Sequence, residues 1–102
     1  MNITFKSPYM GDVDVRLVWS TYRSNNRPAL ELVDPRTGEP FTTATVNLPG
    51  VALADDEIIL KDYNENEGML ASLADAGVVQ DTGRRESTGF VKCPVVRVLR
   101  RK

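Results

Sequence analysis

Any chemistry in this chain has to come from carboxylates, one thiol or cations, because its 102 residues include no histidine and a single cysteine, Cys93. Histidine is the side chain that titrates unperturbed near neutral pH, and it is the usual base beside a nucleophilic serine or cysteine. Its absence excludes Ser-His-Asp and Cys-His catalysis, histidine zinc sites and histidine pH switches. A lone cysteine excludes disulfide frameworks and four-cysteine metal sites. Cys93 stands beside Lys92, whose charge favours a thiolate, but no base accompanies it. It reads as a partly buried structural cysteine.

Carboxylates are the remaining candidates. The run Asp62-Tyr63-Asn64-Glu65-Asn66-Glu67-Gly68 begins like a calcium-binding loop, with oxygen ligands at alternate positions. Such a loop needs glycine at its sixth position and a bidentate glutamate at its twelfth, where this chain has Glu67 and Leu73. The acids therefore read as a helix N-terminus, where negative charge is favourable. Asp12 and Asp14 share one face of a strand, and Asp55-Asp56-Glu57 forms a second group. No glycine-rich phosphate loop accompanies either, so both read as solvated surface rather than magnesium sites. No metal, no cofactor and no catalytic residue is expected, and the chain reads as a protein that acts by contact rather than as an enzyme.

Charge is distributed in blocks. The formal net charge is −1, yet residues 54–81 hold Asp55, Asp56, Glu57, Asp62, Glu65, Glu67, Asp75 and Asp81 against Lys61 alone. Residues 82–102 hold Arg84, Arg85, Lys92, Arg97, Arg100, Arg101 and Lys102 against Glu86. Such segregation serves either a binding surface or mutual neutralisation within the fold. As a binding surface, the carboxylates of 55–67 would imitate a row of phosphates, with Tyr63, Asn64 and Asn66 adding hydrogen bonds. The candidate contact residues are Asp55, Asp56, Glu57, Asp62, Tyr63, Glu65 and Glu67, with Tyr63 as an anchor. The basic end offers the opposite surface, toward nucleic-acid phosphates.

The elements that must position these groups follow from periodicity. Val13, Val15, Leu17 and Trp19 alternate with Asp12, Asp14, Arg16 and Ser20, the pattern of a half-buried antiparallel strand over 12–22. Ile3 and Phe5 indicate a short strand before it, and Leu30 and Leu32 a third. Asp34-Pro35-Arg36-Thr37-Gly38 is the strongest turn signal, followed by a strand over about 40–48. Glu57–Lys61 reads as a buried strand. Asn64 and Glu67 then have capping-box spacing, Met69, Leu70, Leu73 and Ala76 recur at helical spacing, and Gly77 supplies a left-handed stop. One α-helix is therefore expected near residues 65–76. Val78–Gln80 reads as a strand, Asp81–Gly89 as turns, and Phe90–Leu99 as a last strand interrupted at Pro94, which implies an edge position or a bulge.

These elements make one domain over residues 1–102, of α+β class: a meander of about five to seven mainly antiparallel strands with a single helix. No apolar run approaches the roughly 18 residues of a bilayer span, no signal-peptide pattern opens the chain, and the unpaired cysteine fits a reducing cytoplasm.

The stretch Lys61–Leu70, with Ala76-Gly77-Val78-Val79, Thr82-Gly83-Arg84, Thr88-Gly89-Phe90-Val91 and Pro94-Val95-Val96, resembles short uncharacterised proteins carried by bacterial mobile elements and phages. The resemblance spans roughly residues 28–99 and brings no catalytic residues. It implies a bacterial host cell and an accessory role like that of anti-CRISPR inhibitors. The expected function is thus inhibition of a bacterial defence system by binding a host protein or ribonucleoprotein through the acidic surface. A nucleic-acid-binding accessory protein using Arg84, Arg85, Arg97, Arg100, Arg101 and Lys102, or an assembly component pairing through a sheet edge, are the alternatives.

Overall fold

The computed structural model describes residues 1–101, and Lys102 lies outside the described residues. The order is β1 (Asn2–Ser7), β2 (Gly11–Thr21), β3 (Pro28–Val33), β4 (Pro40–Thr43), β5 (Glu57–Ile59), a 3-10 turn (Asn64–Asn66), α1 (Met69–Asp75), β6 (Val79–Thr88) and β7 (Val91–Val98). Strands β1-β2-β3-β4 form one sheet and β5-β7-β6 another, and every strand pair is antiparallel. The class is α+β, with α1 the one α-helix among the described residues.

The alternation over 12–20 does what its period requires. Val15 and Leu17 are buried while Asp12, Asp14, Arg16, Val18 and Ser20 face solvent. The neighbouring β3 is different: Ala29, Leu30, Leu32 and Val33 are all buried, so both of its faces are covered.

The expected strand over 40–48 is regular only to Thr43, because the chain changes partner there. Ala44 donates its N–H to the Leu30 carbonyl at 2.8 Å, and Thr45 Oγ1 accepts the Leu30 N–H at 3.2 Å. Val46 then donates to Ile59 and Lys61 to Ala44, around a bridge between Thr45 and Leu60. This bent crossing stitches the two sheets into one surface in the order β1-β2-β3-β4-β5-β7-β6. The surface curls until its first sheet nearly closes: Phe5 of β1 and Phe41 of β4 meet edge to face, 6.0 Å between centroids. Helix α1 packs against the two end strands, β1 and β6, and closes the remaining gap.

One core fills the interior, built on Phe5, Val15, Leu17, Leu30, Leu32, Leu60, Met69, Leu73, Val78 and Val96. A smaller cluster of Ile59, Cys93 and Val95 lies under the 46–53 segment and Tyr63. Each fully buried large side chain contributes about 1.5–3 kcal/mol.

The helix starts later than its sequence pattern suggests. Asn64 adopts a left-handed φ of 53° and opens a 3-10 turn, and its side chain caps nothing. The N-cap of α1 is Gly68, with φ 97°, and the capping acceptor is Asp62 Oδ1, which takes the N–H groups of Gly68 and Leu70 at 3.1 and 3.2 Å. The other end behaves as expected. Gly77, at φ 74°, donates to Ala74 and Val78 donates to Leu73, the paired bonds of a Schellman stop.

Residues 81–89 are not a run of turns. They continue β6 to Thr88 and pair with β7 as far as Val91. The polar sequence hid this strand because its exposed edge leaves little to bury. Pro94 sits in β7, the middle strand of its sheet rather than an edge. The irregularity falls on the neighbour: Asp81 pairs with Val96 and Arg85 with Pro94, so residues 82–84 bulge opposite Val95. Thr82 Oγ1 donates to the Val95 carbonyl at 2.6 Å and fills that opening.

Candidate contact surface

The seven acidic-block candidates separate into two groups. Asp55, Asp56 and Glu57 lie at the entry to β5, beside the C-terminal residues Leu99–Arg101. Asp62, Tyr63, Glu65 and Glu67 surround the 3-10 turn before α1.

Neutralisation between the blocks accounts for much of the first group. Asp56 pairs with Arg97 at 3.2 Å. Glu57 is partly covered, accepts the Ala54 N–H at 2.9 Å and pairs with Arg84 at 3.2 Å. Arg84 also reaches Glu86 and the Ala52 carbonyl, and Arg85 grips Asp81 through both carboxylate oxygens at 2.9 Å. The β5-β7-β6 order brings Asp56 to Arg97 and Glu57 to Arg84, since Glu57 and Gln80 stand across from Arg97 on either side, whereas Arg84–Glu86 and Arg85–Asp81 form within β6. Three of the basic candidates, Arg84, Arg85 and Arg97, are thereby held by acids. Arg101 lies over the Trp19 ring, 5.7 Å from its centroid. Asp55 makes no ion pair among the described residues and lines a cleft of about 290 Å³ with Asn25, Asn26, Arg27, Glu57 and Arg101. Arg27 is committed there, donating to the carbonyls of Leu48 and Val51.

The second group is divided by role. Asp62 is the helix cap. Tyr63 is half-buried against the smaller cluster, with the Lys61 ammonium 5.5 Å from its ring centroid. Asn66 is wholly buried: it accepts from Thr42 Oγ1 at 2.6 Å and donates to the Thr43 carbonyl at 2.8 Å, so it serves β4 and not a partner. Glu65 and Glu67 point outward. Lys61 bonds Glu65 and holds its carboxyl below the usual carboxylate range.

Glu67 brings in residues that the charge pattern does not name. Its Oε1 accepts the Tyr9 hydroxyl at 3.3 Å, and the negative charge raises the Tyr9 pKa. Tyr9 is 66% exposed and Met10 53%, on a turn fixed by Ser7 Oγ, which accepts both of their N–H groups at 3.1 Å. The sequence signal was available, since Pro8-Tyr9-Met10-Gly11 puts two large side chains into a turn. A second such signal is Phe90, fully exposed at the β6–β7 turn.

Cys93 is buried, and that burial raises its pKa, which keeps it a thiol. Among the described residues no group of three or more acids or cysteines is placed to hold a metal ion, and no helix is long and apolar enough to cross a membrane. No family model matches the chain, and no significant match to it was found among curated proteins or solved structures.

Proposed function

We propose that this chain is a non-enzymatic binding protein of a phage or mobile element, and that it blocks a basic, nucleic-acid-binding surface on a bacterial defence protein or ribonucleoprotein. The working face is the shoulder formed by Glu65, Glu67, Tyr9 and Met10, with the exposed part of Tyr63 at its margin. The observation that supports this reading is the Tyr9–Glu67 bond, which sets a tyrosine and a methionine beside outward-facing carboxylates on a pre-formed turn. Tyrosine and methionine are enriched at interface centres, and carboxylates at the rim steer a basic partner. Asp55 to Glu57 contribute less, because Arg84 and Arg97 already neutralise two of them.

The test is capture from a bacterial lysate carrying the defence system, followed by mass spectrometry. Tyr9→Ala, and separately Glu65→Lys with Glu67→Lys, should each abolish capture of a nucleic-acid-binding protein while leaving the melting temperature nearly unchanged. Capture that survives both variants overturns the reading. So does direct, salt-sensitive binding of DNA or RNA that is lost in Arg100→Glu with Arg101→Glu.

A further inference from the structure

We propose that Trp19 and Asp55 form a binding site for an arginine side chain on an extended segment of a partner protein, and that the chain's own Arg101 covers that site in the structure. The site is independent of the acidic shoulder around Glu67.

The alternation of β2 builds it. Trp19 and Thr21 share one face of the strand. Trp19 is half-buried, with the core on one side and the Arg101 guanidinium over its ring, 5.7 Å from the centroid. Thr21 lines the neighbouring cleft of about 290 Å³, whose walls include Asp55 and Arg101. Asp55 and Arg101 also line a second cleft of about 280 Å³, together with Asp56 and Arg100. The two clefts therefore meet at Asp55 and Arg101. Each falls below the roughly 300–1,000 Å³ that small-molecule sites occupy, and suits one long side chain.

Arg101 fills only half of this site. It covers the ring, yet none of the ion pairs among the described residues includes Asp55. The backbone just before Arg101 is tethered, since Leu99 and Arg100 both donate their N–H groups to the Val78 carbonyl, at 2.8 and 3.3 Å. Other cations nearby are committed, Arg97 to Asp56 and Arg27 to the Leu48 and Val51 carbonyls. An arginine arriving on another chain carries no such tether, so its guanidinium can lie on the indole and pair with Asp55 at once. The planar guanidinium suits both contacts, where the compact, strongly hydrated lysine ammonium does not. Arg101 thus identifies the chemistry of the occupant and competes with it. A surface cation–π contact favours the covered state only about two- to fivefold, so a better-fitted arginine displaces it.

Trp19 is the chain's one tryptophan, and its fluorescence reports on the site. The probes are the blocked peptide acetyl-Ala-Arg-Ala-amide and its lysine counterpart, titrated to about 10 mM. The variants are Arg101→Ser and Asp55→Asn, both at exposed positions, with thermal melting to check that each is folded. Arg101→Ser alone should shift the Trp19 emission, and it should bind the arginine peptide about threefold or more tighter than the wild type. Adding Asp55→Asn to Arg101→Ser should weaken that binding about fivefold or more. The lysine peptide should bind less tightly than the arginine peptide. An emission unchanged in Arg101→Ser, no saturable response to the arginine peptide, an equal response to the lysine peptide, or binding indifferent to Asp55 overturns the proposal. So does an emission change that depends on protein concentration, since another copy's Arg101 would then be the occupant.

Discussion

The Phe5 and Phe41 rings come from the two outer strands of one sheet, yet they meet edge to face at 6.0 Å. Strands that lie three places apart in a flat sheet cannot touch, so this contact measures how far β1-β2-β3-β4 has curled. The same segment fastens both outer strands: Asn66 bonds Thr42 and Thr43 of β4, and Ser72 Oγ accepts the Lys6 N–H of β1 at 2.9 Å. Phe5 is fully buried and Phe41 only partly, so their truncations should differ. Phe5→Ala should cost about 3–5 kcal/mol and Phe41→Ala less. A double-mutant cycle by urea denaturation should give a coupling of about 0.5–1.5 kcal/mol. Strict additivity would show that the rings do not support each other.

Gly68 is where helix and sheet approach most closely. It combines φ 97° with a backbone so near β1 that a Cβ would lie 2.5 Å from the Lys6 carbonyl oxygen. Gly68→Ala should therefore destabilise by about 2 kcal/mol or more, from both strain and displacement of β1. Gly77→Ala, at φ 74° but with nothing within 4 Å, should cost only about 1 kcal/mol. Equal denaturation midpoints for the two variants would contradict the close approach.

The contrast between these glycines also marks what was legible in the sequence. Gly77 is a local stop that follows four helical positions, and its role is readable from them. Gly68 sits where a helix was already expected, and its purpose depends on Lys6, 62 residues away. The alternation of β2 was readable because one face is buried and the other wet. Strand β6 was not, since Asp81-Thr82-Gly83-Arg84-Arg85 bulges and exposes most of its side chains. The charge blocks were evident as composition, but the Asp56–Arg97 and Glu57–Arg84 pairs were fixed only by β7 running between β5 and β6. Asn66 appeared to be a surface residue of a polar run, and it is buried because distant Thr42 and Thr43 need its amide.

Cys93 should be protected in the folded protein. It is wholly buried and its pKa is raised by that burial, so both access and thiolate fraction fall. Reaction with a chromogenic disulfide reagent at neutral pH should be slow in buffer and complete within mixing in strong denaturant. A fast native reaction would place the thiol at the surface.

Asp81 and Arg85 give the fold a small acid-sensitive element. The Arg85 guanidinium, with the Gly83 N–H at 2.9 Å, holds the Asp81 carboxyl below the usual carboxylate range. A lowered folded pKa means that the unfolded chain binds the proton more readily, so acid favours unfolding. The stabilisation is complete above about pH 4, the ordinary aspartate value, and disappears as pH falls through the lowered folded value. Both side chains are 38% exposed, which keeps the effect modest. In Asp81→Asn, the loss of melting temperature between pH 6 and pH 2 should be smaller than in the wild type, because the variant has no carboxylate to protonate there. The variant should also start lower at pH 6, since the bidentate pair is gone. Identical pH profiles for the two proteins would show that the pair, although well formed, adds nothing to stability.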